Sequence, residues 1–405
     1  VPNQALPLLT QIWHRAAQGY SLKRERVHTC NPPVVLGFLT DEGAVLEAEK
    51  AAMREPNLEK LNALVGKLVG DLGISLGGAS ILLGDRLGLY KAMADGAVVT
   101  PSELAKKTGL HERYVREWLS GQAASGYIDY HPEKNAFSLS AEQAMAFAEE
   151  GSPAFFAGAF DVVQSTYLDE PKIAEAFRTG RGVGWHEHSK CLFSGTERFF
   201  RPGYNANLVS NWIPTLEGVE AKLKAGARVA DVGCGHGAST IVMAQAYPNS
   251  EFFGFDYHKP SIERAKVLAQ EAGVGDRITF AQASAKDFPA KDYDLVAFFD
   301  CLHDMGDPVG AGKHVKETLA KDGAWMIVEP FAHDNLKDNL NPVGCIFYHA
   351  STFICTPASL SQEVGLGLGA QAGESRLRQV ATEAGFRRFR RATETPFNMI
   401  FEVRS

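Results

Sequence analysis

Arg228-Val-Ala-Asp-Val-Gly-Cys-Gly-His-Gly-Ala-Ser-Thr240 is an apolar run that halts at Gly233, Gly235 and Gly237. It resumes as Thr240-Ile-Val-Met-Ala-Gln-Ala-Tyr247. The pattern predicts a strand, a sharp bend and a helix. Glycines belong at such a bend because the backbone must turn tightly and let a ligand touch it. The helix start offers free N–H groups to an anionic group. On its own, a bend of this kind serves NAD, FAD or nothing. The spacing here is G-x-G-x-G rather than G-x-G-x-x-G. Asp231 precedes the first glycine and is placed to meet a cationic amino group. Asp256 closes the next strand, Glu251-Phe-Phe-Gly-Phe-Asp-Tyr257, where a carboxylate can hold two ribose hydroxyls; it would suit NAD equally well.

From about Asn211 onward, short apolar runs alternate with helical stretches. The runs are RVADVG, EFFGFDY, ITFAQAS, YDLVAFFD and AWMIVEP. That alternation predicts an α/β fold with a mainly parallel sheet. The final FRRFRRATETPFNMIFEVRS has no helix between its two strand-like runs, so an antiparallel pair ends the sheet.

The N-terminal half reads differently. Leu61, Leu64, Val65, Leu68, Val69 and Leu72 form one helical stripe, and residues 80–93 suggest a second helix. Thr100 caps a helix opening at Pro101, with Glu103 in the capping-box position and Gly109 as the stop. His111 to Gln122 forms the next helix. YIDY and AFSLS, joined by HPEKN, form a hairpin. Helix, turn, helix and hairpin make a winged-helix pattern. Four segments follow: an N-terminal extension over 1–52, poorly packed and preceding Met53; the winged helix over 53–145; a helical linker and lid over 146–210; and the α/β domain over 211–405.

Four ordered motifs in the last segment resemble those of class I S-adenosylmethionine-dependent methyltransferases. VADVGCGHG is similar to their first motif and FGFDYH to their ribose-binding strand. QASAKDFP resembles their adenine-contacting stretch, with Ser284 where an Asp is frequent. DLVAFFDCLHDMGDP resembles the fourth strand and its loop. The resemblance implies a Rossmann-like, mainly parallel seven-stranded methyltransferase sheet behind an N-terminal α-helical winged-helix domain. It also implies S-adenosylmethionine as cofactor, held by Asp231, Gly233, Gly235, Gly237, Asp256, Tyr257, Ser284, Ala285, Asp300 and, from the lid, Tyr204. GRGVGWHEH, GTERFFRPGY and HASTFICTPASLSQEVG extend the likeness to a mycobacterial group of winged-helix methyltransferases often labelled transcriptional regulators.

A methyl group carried on a sulfonium is already electrophilic, so much of the work is alignment of donor and acceptor. A hydroxyl acceptor must also lose a proton. His303, after the fourth strand, is the candidate base, since an imidazole with a pKa of about 6.5 is largely neutral at pH 7. Asp304 adjoins it, and Glu329 ends the fifth strand, where it could orient the base or a substrate. Leu302-His303-Asp304 resembles the stretch in plant-type small-molecule O-methyltransferases, whose histidine takes the acceptor proton and whose N-terminal domain dimerises. Trp185, Phe193, Phe199, Phe200, Tyr204 and Trp212 cluster near the expected cleft. Phe347, Tyr348, His349 and Phe353 form a second group. Both suit a small apolar or aromatic acceptor, and His186, His188 and His349 are alternative bases.

Hydrophobic residues make up 45% of the 405 residues, enough for a large core. A net charge of −7 invites neither nucleic acid nor an anionic membrane. No uninterrupted run of about 18 apolar residues appears, so no membrane span is expected. Val1 to Tyr20 lacks the order of a signal peptide. The six cysteines (Cys30, Cys191, Cys234, Cys301, Cys345 and Cys355) form no C-x-x-C pair, which predicts reduced thiols, a cytoplasmic setting and no metal site. The alternative function is a DNA-binding regulator that senses the cofactor or a metabolite. Charge argues against it, because Ser80 to Ser140 carries as many acidic as basic residues and HERYVREWLSGQ carries two of each.

Overall fold

The computed structural model describes residues 56–405. The N-terminal extension expected over 1–52 lies outside them. The chain divides at Lys67/Leu68, and of the first unit only the opening of one helix is described.

That helix, α1 (Leu58–Arg86), runs unbroken through residues expected to start a second helix; the second helix is only the short α2 (Leu89–Met93). Gly88 separates the two at φ 69°, a conformation that favours glycine. Thr100 and Glu103 form the expected capping box on α3 (Pro101–Thr108), and Gly109 ends it at φ 70°. Helix α4 (Glu112–Ala124) follows, then the hairpin β1 (Asp129–His131) and β2 (Ala136–Ser138). Val115, Trp118 and Leu119 of α4 are buried. Trp118 donates through Nε1 to the Ser80 carbonyl at 2.9 Å. The α4 charges pair along the helix, Arg113 with Glu117 at 2.5 Å and Arg116 with Glu112 at 2.6 Å. Helix α5 (Ala141–Phe147) closes this part.

Two helices lead onward, α6 (Ala159–Thr179) and α7 (Lys190–Asn207). A π-turn over Leu208–Trp212 and the short α8 (Val219–Ala225) bring the chain to the sheet. Its strands are β3 (Arg228–Val232), β4 (Glu251–Asp256), β5 (Ile278–Gln282), β6 (Tyr293–Phe299), β7 (Leu319–Pro330), β8 (Arg388–Glu394) and β9 (Asn398–Arg404). The order is β5-β4-β3-β6-β7-β9-β8. β3 to β7 are parallel; β9 is antiparallel to both β7 and β8. The seven strands and the terminal antiparallel pair therefore stand as the motifs implied.

The crossover helices are α9 (Ala238–Ala246), α10 (Lys259–Glu271), α11 (Pro308–Thr318) and α14 (Gly373–Glu383). Between β7 and α14 lie α12 (Pro342–Phe353) and α13 (Cys355–Leu360). Alternate residues of β3 feed two apolar cores, Val229 with Leu208 and Phe252 in one, Ala230 and Val232 with Phe298 and Trp325 in the other. Both sheet faces are covered, which is why the central strands read as continuous apolar runs.

Two helical stretches are long and apolar enough to cross a membrane by length and composition: Leu58–Arg86 at mean hydropathy 1.3 and Pro342–Leu360 at 1.2. Their glycines and small polar residues break the apolar run without lowering the mean much. Phe347, Ile354 and Cys355 of the second stretch pack with Leu192 in a buried cluster. On α1, Leu68, Val69, Leu72, Ile74 and Leu76 are exposed.

Arg198 of α7 joins two earlier helices and the turn after α5. It meets both oxygens of Asp85 on α1 at 2.8 and 3.0 Å, Asp161 on α6 at 3.1 Å, and Glu150 at 3.0 Å. Asp85 and Asp161 are nearly buried, so removing the cation leaves carboxylates without compensation. Arg198→Ala is expected to lower unfolding stability by about 2–4 kcal/mol in urea titrations. A loss below about 0.5 kcal/mol would mean the carboxylates do not depend on it.

Candidate functional site

In open α/β sheets, ligands bind beyond the carboxyl ends of the strands, where the strand order reverses. Here β3 lies between β4 and β6, and a cavity of about 470 Å³ opens at that end.

The glycine bend forms one wall. Gly233, Gly235 and Gly237 have φ of 75°, 52° and 79°. A Cβ on Gly233 would fall 2.8 Å from Cys301 Sγ, and one on Gly237 would fall 2.7 Å from the Phe280 ring. At Gly235 a Cβ would meet nothing within 4 Å. The first and third glycines thus let the bend pack closely, while the second leaves room at the cavity wall.

Asp256 stands opposite. Its Oδ2 accepts from the Gly235 amide at 2.9 Å and its Oδ1 from the His258 amide at 2.8 Å. It lines the cavity with Tyr257, Ser284, Ala285 and Asp300. Burial raises its pKa despite the two amides. The Ser284 hydroxyl accepts from the Lys286 amide at 3.3 Å. Asp300, at φ 50°, accepts from Tyr204 Oη at 3.2 Å and from Asn398 Nδ2 at 2.8 Å. Tyr204 also lines the cavity.

Asp231 does not fit its expected role. It is fully buried and does not line the cavity. Its Oδ2 accepts from the hydroxyls of Ser239 and Thr240, both at 2.6 Å, fastening the end of β3 to α9. A carboxylate that sequence reasoning missed lines the same end of the cavity: Glu197 of α7, beside Thr196 and His236. Arg201 holds Glu197 Oε1 at 2.9 Å, and His236 Nδ1 lies 3.9 Å from Oε2 without a hydrogen-bond partner. Burial works to raise the Glu197 pKa, but His236 and Arg201 hold it below the usual range. The i, i+4 spacing of Glu197 and Arg201 resembles an ordinary surface pair, so nothing local marked it.

The other end of the cavity holds the candidate base. His303 and Asp304 lie in a short 3₁₀ turn after β6. His303 Nδ1 is 2.5 Å from Glu329 Oε2, and Glu329 Oε1 accepts from the Leu302 amide at 3.0 Å. His303 Nε2 is 3.2 Å from Asp304 Oδ1. Burial works to lower the His303 pKa, but the Glu329 and Asp304 charges outweigh it and raise it well above the ordinary value. His303 is 3% exposed and does not line the cavity, whereas Asp304 does. Of the two, Asp304 is the one that borders the cavity, with His303 Nε2 3.2 Å from its Oδ1.

Trp185, Phe193 and Phe200 of the aromatic grouping line the cavity, and so does His186, one of the alternative bases. Trp185 donates to Asp304 Oδ2 at 3.0 Å. Phe199, Trp212, His188 and the later group of Phe347, Tyr348, His349 and Phe353 do not line it. His188 instead pairs with buried Asp169 at 3.0 Å. Met305, Ser361 and Gln362 line it unforeseen. The expectation of no metal-type cluster also fails: His303, Asp304 and Cys355 each bring a donor atom within 4.8 Å of the others.

Residues 223–383 match the family described as "Methyltransferase domain". Residues 77–148 match the "Rv2258c-like winged HTH domain" family. Over 87 residues the chain is 38% identical to 27-O-demethylrifamycin SV methyltransferase of Amycolatopsis mediterranei, covering 21% of the chain and 32% of that relative. Over 136 residues it is 34% identical to the ubiquinone biosynthesis O-methyltransferase of Leptothrix cholodnii, covering 33% and 54%. The matches therefore span about a third to a half of these relatives. An O-methyltransferase family protein from Burkholderia thailandensis superposes with TM-score 0.61 at 17% identity, covering 87% of this chain and 99% of that one. Human N-acetylserotonin methyltransferase, solved with S-adenosylmethionine, gives 0.63 at 16%, covering 87% and 99%. At such identity the likeness is one of fold, and it takes in the winged helix as well as the methyltransferase domain.

Burial pushes the Asp231 carboxyl up to about 6 from an ordinary 3.8, with its hydroxyl donors opposing. The folded state therefore holds the proton more tightly than the unfolded chain does. The stability this confers is full below about pH 4 and is lost as pH rises through about 6. Relative to Asp231→Asn, the native chain should lose roughly 3 kcal/mol between pH 4 and 7. Equal pH profiles in urea unfolding would refute the shift.

Proposed function

We propose that the chain transfers the methyl group of S-adenosylmethionine to a hydroxyl oxygen on a small acceptor with an apolar or aromatic body. The observation that carries this reading is one cavity with two chemically distinct ends. A glycine bend facing Asp256 forms one, and the Asp304–His303–Glu329 chain forms the other. The residues present suit the cofactor. Gly235 leaves the bend open, the Asp256 carboxylate suits a ribose diol, and Ser284 and Ala285 border the adenine position. Glu197, in place of Asp231, suits an ammonium, and the unpartnered His236 Nδ1 suits a carboxylate.

When bound, S-adenosylmethionine supplies an electrophilic methyl group on its sulfonium. The protein's part is to align and to deprotonate. Trp185, Phe193 and Met305 give the acceptor's body an apolar wall. Alignment alone is worth up to about 7–11 kcal/mol. The hydroxyl proton passes to Asp304, the carboxylate that faces the cavity, backed by His303. Glu329 fixes the imidazole through Nδ1, and Trp185 fixes the carboxylate through Oδ2.

The exposed apolar stripe on α1 suits a second copy of the chain, so we read the protein as a homodimer. The free cysteines suit a reducing cytoplasm.

Two variants test the reading. Asp256→Ala should weaken S-adenosylmethionine binding by about 10–100-fold in calorimetry while the protein stays folded; unchanged affinity would remove the ribose assignment. Asp304→Asn and His303→Ala should each cut turnover on a phenolic acceptor by roughly 10²–10⁴ and leave cofactor affinity intact. Turnover retained in both would exclude this pair as the proton acceptor.

A further inference from the structure

We propose that His303, Asp304 and Cys355 form a zinc site reached from the acceptor end of the cavity, and that zinc bound there silences the enzyme. The silencing rests on the proton-acceptor reading above; the binding does not.

The three residues come from separate places, the 3₁₀ turn after β6 and the start of α13. Each is more than nine-tenths buried, with exposures of 3%, 8% and 7%. Their donor atoms lie within 4.8 Å of one another. Tetrahedral zinc, with bonds of about 2.0–2.3 Å, needs donors roughly 3.3–3.8 Å apart, so closing on an ion takes only a small movement.

Two further observations point to an ion rather than to a hydrogen-bonded cluster. Asp304 Oδ1 is buried and accepts no hydrogen bond. His303 Nε2 lies 3.2 Å from it, near enough to pair, yet its N–H is not aligned on the oxygen. The outer contacts are also those of a metal site. Glu329 holds Nδ1 and leaves Nε2 as the donor; Trp185 holds Oδ2 and leaves Oδ1. Carboxylate-held imidazoles and hydrogen-bonded carboxylates are the usual supports of metal ligands. A nitrogen, an oxygen and a sulfur together suit zinc and do not suit magnesium or calcium.

Entry is through Asp304, which lines the cavity. Three protein donors leave a fourth position open, as in zinc sites reached by small molecules. With zinc bound, Asp304 Oδ1 shares its charge with the ion and loses the basicity needed to take an acceptor's proton.

The test uses the full chain. Cobalt(II) should give visible ligand-field bands and a near-ultraviolet thiolate charge-transfer band, and zinc should bind one ion per chain in calorimetry and bleach that band as it displaces cobalt. Cys355→Ser should abolish the charge-transfer band and weaken zinc binding by more than about tenfold. It should leave zinc-free turnover unchanged and relieve zinc inhibition. Should Cys355→Ser fail to fold, Asp304→Asn must weaken zinc binding likewise. No thiolate band in the native chain, zinc affinity untouched by either variant, or turnover that rises with zinc would overturn the proposal. A chain that binds zinc in this way but never binds S-adenosylmethionine would refute the methyl-transfer reading and leave the zinc site standing.

Discussion

The Asp256 carboxylate spans the gap on which the site is built. One oxygen accepts the amide of Gly235 and the other the amide of His258, so the bend after β3 and the start of α10 hang from a single side chain. Charge-assisted bonds of this kind are among the stronger ones in a folded protein. They require β3 and β4 in parallel register, which pairs Val232 with Phe255 and puts Gly233 level with Asp256. The register in turn needs both sheet faces covered, because apolar residues point both ways along β3. Packing fixes register, register fixes the bend, and the bend opens the cavity.

This chain of dependence explains what could be read directly from the residues. Strand, bend and helix at 228–247 are local, and glycine is needed there for φ values near 50–80°. The capping box at Thr100 and Glu103 is equally local. Asp256 was legible because it ends a strand. Asp231 was misassigned because position alone does not tell whether a carboxylate at a strand end turns outward or down. Ser239 and Thr240, on the next helix, turn it down by offering two hydroxyls to one oxygen.

Residues that act across elements were not legible. Glu197 comes to the cavity from α7, and Gln362 from the turn after α13, where it bonds the Asp304 carbonyl at 2.8 Å and the Gly306 amide at 3.1 Å. Gly182 lets the chain before α7 lie against the end of α13, the helix that opens with Cys355: a Cβ there would fall 2.0 Å from the Ser361 amide. No periodicity records such an approach. The histidine was visible in the sequence, but its enclosure by two carboxylates and a thiol belongs to the tertiary structure alone.

Helix α7 serves the cavity with one face and the rest of the fold with the other. One of its faces brings Phe193, Glu197, Phe200 and Tyr204 to the cavity. Arg198 faces the other way, into Asp85, Asp161 and Glu150. Glu197 and Arg198 are neighbours in sequence, so a shift of α1 or α6 that moves the guanidinium also moves the carboxylate lining the cavity. Through Asp85 on α1, the N-terminal part of the described chain holds the helix that borders the cavity.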